Sequence, residues 1–313
     1  MELIRGIHNL QPQHQGCVLS IGNFDGIHLG HKVVLARLLV EAERLQVPAT
    51  VMTFEPQPAE LFAGNNAPAR LSRLRDKFVQ LEKQGINRLL CVSFTHQFAN
   101  LSAQDFITEL LIKKLGVQFL VVGDDFHFGY QRQGDFELLK AAGKKYGFVV
   151  VDTKSLLQQD KRISSSRIRD FLAVGDLAQA EQMLGRKYSI TGRVGHGRKL
   201  GRTIGVPTAN LLLKRRVSPV SGVFVVSILG LDEKVYQGVA NIGKRPTVHG
   251  VRQQLEVHLF DFNRDLYGVQ LEVVLLAKLR DEVRFDSFAQ LKIQIDKDIK
   301  QAKQWHQLNS DKS

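Results

Sequence analysis

Ser20-Ile21-Gly22-Asn23-Phe24-Asp25-Gly26-Ile27-His28-Leu29-Gly30-His31 is the stretch on which the reading of this chain turns. A short apolar run breaks into glycines, and helical periodicity begins directly afterwards. Residues 16–21 read as a buried strand, and residues 32–45 carry Val33, Val34, Leu38 and Leu45 at roughly helical spacing. Strand, glycine loop and helix in that order predict a nucleotide cradle. Gly22, Gly26 and Gly30 let the backbone approach a bulky anion, and the start of a helix offers unpaired amide donors and the positive end of its dipole. Gly22, Asn23, Phe24, Asp25 and Gly26 are the expected binding residues. His28 and His31 stand three apart, so in a first helical turn they share a face and can donate to the same phosphate oxygens. Donors so placed stabilise the charge that builds when an α-phosphate is attacked. Taken singly, either histidine reads better as an ordinary surface or core residue; it is the glycines, asparagine, aspartate and two histidines together that favour the cradle. A zinc site lacks support, because Cys17 and Cys91 fall at no ligand spacing relative to the pair.

At 313 residues and 43% hydrophobic content the chain can bury one large core or two modest ones, and ordinary domain size favours two. Its formal net charge of +12 fits nucleic acid, an acidic membrane surface or polyphosphate substrates. The basic residues are spread along the chain without the aromatic interleaving of a single-strand binder, so no nucleic-acid partner is expected. Two distant cysteines in apolar runs read as small core residues of a reducing compartment. The N-terminus has no apolar leader, and no apolar run approaches the roughly 20 residues of a membrane helix, so the expectation is a cytoplasmic protein without a membrane partner.

The first half continues the alternation. Residues 49–54 read as a second buried strand, stopped by Glu55-Pro56-Gln57-Pro58, and helices at 73–84 and 103–115 alternate with strands at 88–92 and 118–122. This predicts a doubly wound, Rossmann-like α/β domain whose ligand sits at the carboxyl ends of its strands. Beyond residue 122, Phe126, Phe128 and Tyr130 could wall a flat aromatic ligand with Asp125 and Arg132 as polar handles, or could simply plug the strand end. After a helix at 135–146 and a strand at 148–151 come Ser164, Ser165, Ser166 and Arg169. Hydroxyls, cap amides and an arginine gathered there suit a leaving pyrophosphate, although a serine-rich cap is most often only a cap.

The period changes near residue 187, where short alternating segments with glycine turns begin. Strands near 188–194, 223–229, 236–242, 254–262 and 270–276 predict an antiparallel barrel. Between the first two lies a second glycine-rich loop containing Gly201, Arg202, Thr203 and Gly205, followed by Pro207-Thr208-Ala209-Asn210. The Thr208 hydroxyl and Asn210 amide oxygen are neutral ligands that could hold Mg²⁺ while phosphates complete its shell. On the strand from 254, Leu255, Val257 and Leu259 share one face, so Glu256 and His258 point to the other. By itself Glu256 reads as a solvent-facing strand glutamate, the default for such a position. Phe288, Leu291, Ile295, Ile299 and Ala302 form one stripe of a final helix, capped by Asp286 or Ser287 and laid on the barrel. The expected division is 1–186, 187–308 and a polar tail at 309–313.

Four motifs in this order resemble the bacterial bifunctional riboflavin kinase/FMN adenylyltransferase (FAD synthetase) family. Residues 20–31 resemble its adenylyltransferase signature, and residues 123–134 its flavin-side loop, with His127 where arginine is common. Ser164 to Arg169 matches a second adenylyltransferase motif, with Ser166 in place of the usual threonine. Gln57 stands where the family often has histidine, and Val206 where it usually has an aromatic. Glu256 falls at the position of the family's catalytic glutamate, ahead of Asp265-Leu266-Tyr267-Gly268, and the runs 238–243 and 245–247 also match. The resemblance implies that the barrel phosphorylates riboflavin to FMN with ATP, and that the first domain joins FMN to AMP from a second ATP, giving FAD and pyrophosphate. It implies riboflavin, FMN and ATP as small-molecule partners, Mg²⁺ as cofactor and apo-flavoproteins as acceptors of FAD. Two other readings stay open: a chain retaining one of the two activities, and an RNA-linked nucleotidyltransferase similar to class I aminoacyl-tRNA synthetases, whose second motif is lysine-rich where this chain has serines.

Overall fold

The computed structural model describes residues 1–123, 125–153, 157–158, 161–196, 205–213, 217–247 and 250–309. They form two compact units, Met1–Pro68 with Ser72–Ser165 and Ala69–Leu71 with Ser166–Ser313.

The first unit is built on six strands: β1 (Glu2–Arg5), β2 (Cys17–Ile21), β3 (Ala49–Glu55), β4 (Arg88–Ser93), β5 (Val117–Gly123) and β6 (Val149–Thr153). All pair parallel, in the order β1-β4-β3-β2-β5-β6. From β2 the chain winds outward through β3 and β4, then returns to the other side of β2 to lay down β5 and β6. The order reverses between β2 and β5, which is where a sheet of this kind opens a crevice at its carboxyl end. Both central strands are apolar on both faces, as covered parallel strands must be, and two clusters, around Leu19 with Leu120 and around Val18 with Val121, fill the two sides. Helices α1 (Leu29–Leu45), α2 (Pro58–Ala63) and α3 (Leu74–Lys83) follow β2 and β3. Beyond β4 come α4 (His96–Ala99) and α5 (Ala103–Asp105), the latter running on as a π-helix over Phe106–Lys114. Helix α6 (Phe136–Tyr146) is capped by the Asp135 carboxylate, which accepts from the Leu138 amide at 2.9 Å, and ends on left-handed Gly147. A short ribbon, β7 (Leu157–Gln158) with β8 (Lys161–Arg162), leads to α7 (Ser165–Val174) and α8 (Leu177–Leu184). Cys17 and Cys91 are buried free thiols, and burial pushes the Cys17 thiol up to about 12.

The second unit holds a closed barrel of β9 (Ser189–Gly195), β10 (Ala209–Leu212), β11 (Gly222–Leu229), β12 (Tyr236–Thr247), β13 (Gly250–Leu259) and β14 (Gln270–Arg280), in the order β10-β13-β12-β11-β14-β9 and antiparallel throughout. Closure leaves no sheet edge. Phe224, Ile242, Leu255, Val257, Leu271 and Val273 are buried as the alternation requires. The final helix α9 (Phe288–Leu308) is capped by Ser287, whose hydroxyl accepts from the Gln290 amide, and packs Ala302 against Val223, Val225, Val239 and Phe260. Its expected stripe is corrected at one end, because Phe288 is exposed. The buried face carries instead Asp298, which Arg280 of β14 grips in a forked ion pair at 3.0 and 2.7 Å.

Candidate active sites

In the first unit the carboxyl ends of β2 and β5 lie side by side, with Ser20 paired to Val121. The loop after each strand therefore opens at the same end of the sheet. After β2 the chain turns through Phe24 (φ 45°), Gly26 (φ 87°) and Ile27 (φ 42°). Only one of the three expected glycines uses a left-handed backbone. Gly22 and Gly30 instead avoid crowding, since a Cβ would sit 3.3 Å from the Phe24 ring or 3.1 Å from the His28 ring. Left-handed Phe24 and Ile27 are uncommon conformers held by burial, a pattern that clusters at functional sites.

His28 is the N-cap of α1 and His31 its third helical residue. Each backbone amide donates to the other residue's Nδ1 at 3.3 Å, and the rings stack with centroids 3.7 Å apart. Because both Nδ1 atoms accept, each neutral imidazole carries its proton on Nε2 and presents it as a donor. Burial, the neighbouring His28 and the Lys77 ammonium hold His31 well below its ordinary 6.5. Asp25 is buried; its Oδ1 accepts from the Ser72 amide at 2.9 Å and the Ser72 hydroxyl at 3.3 Å, tying the loop to the segment ahead of α3. Ser72 Oγ in turn accepts from the Gly26 amide at 3.0 Å. The segment of Ile163 to Ser165 reaches the same loop, where the Ser165 hydroxyl donates to the Asp25 carbonyl at 2.8 Å and Ser164 is half-buried beside it in sequence. Asn23 is exposed. Ser166, exposed on the first turn of α7, and Arg169, whose guanidinium donates to the Ala69 carbonyl, belong to the second unit.

After β5, Phe126 and Phe128 stack at 5.6 Å, with Phe128 buried against Phe106 and pinned by paired backbone bonds to Gly134. Asp125 and Arg132 are exposed. The sequence pattern did not reveal that these rings continue an aromatic train: Phe128 meets Phe106, Phe106 meets Phe98, and Phe98 meets Phe94 and Phe54. The train ends at Phe62 of α2, packed edge-on against Phe94 and 67% exposed. Lys77 was missed as well. It is 2% exposed, and its ammonium donates to Thr53 Oγ1 at 2.9 Å, which donates to the Asn23 carbonyl at 3.3 Å. The signal was there: Leu74, Lys77, Phe78 and Leu81 occupy one stripe of α3, and a lysine on the apolar stripe is a cation bound for the interior.

In the barrel, Thr208 directly precedes β10, and Asn210 lies on it, opposite Glu256 of β13, which is opposite Asn241 of β12. The expected loop motif is thus half strand. Asn210 is buried and Glu256 and Thr208 are half-buried. The Gln254 amide nitrogen donates to Glu256 Oε1 at 2.7 Å and to Asn210 Oδ1. His258, two residues along the same face, bonds the Pro207 carbonyl at 2.8 Å; burial lowers its pKa, so the neutral ring donates through Nδ1. Gly205 is exposed with φ 79°, while Gly201, Arg202 and Thr203 lie outside the described residues. The Thr208 hydroxyl and the Asn210 amide carry neutral oxygen donors of the kind that suits a hard cation, and the amide oxygen keeps a second lone pair beyond the one Gln254 occupies. Among the described residues no group of three or more His, Cys, Asp or Glu could hold a metal ion.

A parallel sheet whose switch point opens on stacked histidines at a helix start is the architecture of an α/β nucleotide-binding domain, here joined in one chain to an antiparallel barrel. Residues 10–167 match the FAD synthetase family and residues 184–306 the riboflavin kinase family. The chain is 56% identical over 299 residues to the bifunctional riboflavin kinase/FMN adenylyltransferase of Escherichia coli K12, covering 95% of this chain and 96% of that protein. The Haemophilus influenzae protein of the same name is 51% identical, covering 97% of this chain and 98% of its own length. A crystal structure described as a macrolide-efflux protein from Streptococcus pneumoniae superposes with a TM-score of 0.79 at 32% identity, covering 95% of this chain and 97% of that one. Among the described residues no helix is long and apolar enough to cross a membrane. The chain belongs to the bifunctional riboflavin kinase/FMN adenylyltransferase family.

Proposed function

We propose that this chain makes FAD from riboflavin in two ATP-dependent steps, with residues 1–186 serving the second step and residues 187–308 the first. The observation that carries the reading is the pairing of two imidazole donors with an aromatic wall at one sheet end, the equipment needed to hold a triphosphate and a flat ring system together.

In the barrel, the riboflavin 5′-hydroxyl attacks the γ-phosphorus of ATP. Glu256 takes the hydroxyl proton, the bond to the bridging oxygen breaks, and FMN and ADP form. Thr208 and Asn210 would hold Mg²⁺ against the nucleotide phosphates, supplying charge neutralisation there. Gly201, Arg202, Thr203 and Gly205 are the proposed phosphate loop.

In the first unit, an FMN phosphate oxygen attacks the α-phosphorus of ATP and pyrophosphate leaves. That nucleophile is already anionic and needs no base, so neutral His28 and His31 act as Nε2 donors to the charge that builds on the α-phosphate. The amides and backbone of Gly22 to Gly26 cradle the nucleotide, and Ser164 and Ser165 receive the pyrophosphate. Phe126 and Phe128, with Asp125 and Arg132, hold the flavin, and exposed Phe62 extends that wall. We place the enzyme in the cytoplasm, with apo-flavoproteins taking its product.

The test is a chromatographic assay of the purified chain with riboflavin, ATP and Mg²⁺, following FMN and FAD separately. Formation of both supports the reading. FMN alone, or FAD from supplied FMN alone, reduces it to one activity, and no flavin product with either substrate overturns it.

A further inference from the structure

Glu256 does not stand alone on the outer face of β13. Side chains alternate along a strand, so Gln254, Glu256 and His258 project to the same side while Leu255, Val257 and Leu259 fill the barrel. The two neighbours of the glutamate both reach across to the segment that carries the metal-ligand candidates. Gln254 donates one amide proton to Asn210 Oδ1 and the other to Glu256 Oε1, the latter at 2.7 Å. His258 holds the Pro207 carbonyl at 2.8 Å, one residue before Thr208. Register explains why this works: Asn210 lies directly opposite Glu256, so a side chain displaced by two residues meets both on a diagonal.

From this geometry we infer that Gln254 is a positioning residue of the kinase site, one amide that orients the metal-binding oxygen of Asn210 and the carboxylate of Glu256 at the same time. The inference rests on the kinase reading of the barrel. Its chemical content is the separation of two roles. A carboxylate beside a divalent ion tends to become its ligand and so loses its basicity. Tethering Oε1 to a neutral amide fixes the carboxylate's orientation and leaves its other oxygen to take the proton, and the same amide occupies one lone pair of Asn210 Oδ1, leaving the other for the ion that Asn210 would hold. The sequence could not show this, because Gln254 is polar on an outward face and reads as a solvated residue.

The experiment compares wild type with Gln254→Met, which keeps the length and removes both donors, and Gln254→Asn, which keeps an amide too short to span both partners. Two quantities are read: Mn²⁺–ADP binding, from the free-ion electron paramagnetic resonance signal, and kcat and KM for riboflavin phosphorylation. Outer-shell partners of metal ligands typically contribute 10- to 100-fold in affinity or activity, so Gln254→Met is expected to weaken Mn²⁺–ADP binding by roughly tenfold and to lower kcat by a similar factor, with the riboflavin KM unchanged. Gln254→Asn is expected to follow it. Adenylylation of supplied FMN, carried by the other unit, stays at the wild-type rate and reports a folded chain. Wild-type Mn²⁺–ADP affinity in both variants overturns the inference, as does a loss confined to the riboflavin KM. If wild type binds Mn²⁺–ADP in a Gln254-dependent way but phosphorylates no riboflavin, the positioning role stands and the kinase reading falls.

Discussion

His28 and His31 cap each other: each accepts the other's backbone amide on Nδ1 at 3.3 Å while the two rings stack 3.7 Å apart. One hydrogen-bonded loop thus fixes the start of α1, the tautomer of both rings and the direction of both Nε2 donors. Replacing His28 with alanine removes a donor and a cap together. Losing one donor to a developing oxyanion costs about 10²- to 10³-fold in rate, and losing a cap about 1 kcal/mol in stability. The expected outcome for His28→Ala is FAD synthesis from FMN lowered by at least about 100-fold, with riboflavin phosphorylation intact, measured by separate product chromatography.

The buried state of His31 gives stability a pH dependence with a definite sign. Its folded pKa lies below the unfolded value of 6.5, so below about pH 6.5 the unfolded chain binds a proton that the folded chain refuses. The stability present above pH 6.5 is lost progressively as pH falls toward the folded pKa. His258 and His306, both lowered chiefly by burial, act in the same direction. Thermal unfolding of the first unit's transition between pH 8 and pH 5 should show a falling midpoint, and a His31→Gln variant a flatter one.

Lys77 places a buried cation on the hydrogen-bonded path through Thr53 to the Asn23 carbonyl. Lys77→Met keeps the buried stem and removes the charge. A hydrogen bond to a charged group is worth about 1.5–3 kcal/mol, so adenylylation kcat/KM should drop by roughly tenfold or more. Riboflavin phosphorylation in the same preparation should be unaffected.

Phe62 is a large ring left 67% exposed at the end of the aromatic train. Aromatic pairing contributes about 0.5–1.5 kcal/mol beyond burial, so Phe62→Ala should raise the KM for FMN about 2- to 12-fold with kcat held. An exposed ring contributes little to folding, and the unfolding midpoint should stay within a degree or two of wild type.

Much of this architecture was legible in the chain because its signals were local. The runs that became β2, β3 and β4 are short and apolar, and Ser287 marks the start of the final helix by its own chemistry. Leu255, Val257 and Leu259 announced the inward face of β13 by alternation alone. What escaped depended on partners distant in sequence. Edge strand β1 is four residues long and exists because β4 pairs with it. Strand β10 was hidden in a motif read for its ligands, although Ala209-Asn210-Leu211-Leu212 alternates less than a strand usually does and is fixed by β9 and β13. Of the cradle, the spacing of His28 and His31 gave the shared face, but their mutual capping needed His28 to be the N-cap itself, three residues earlier than the apolar period suggests. The ties from Asp25 to Ser72 and from Gln254 to Asn210 cross 47 and 44 residues, beyond the reach of any window.

The most direct measurement separates the two sites in one chain. Wild type, Glu256→Ala and His28→Ala/His31→Ala are each given riboflavin with ATP and Mg²⁺, and in parallel FMN with ATP and Mg²⁺, with FMN and FAD quantified over time. The account predicts that wild type carries riboflavin through to FAD, that Glu256→Ala leaves riboflavin untouched yet converts supplied FMN to FAD, and that the double-histidine variant stops at FMN. A Glu256→Ala variant that phosphorylates riboflavin at the wild-type rate, or a double-histidine variant that still makes FAD at that rate, would contradict it.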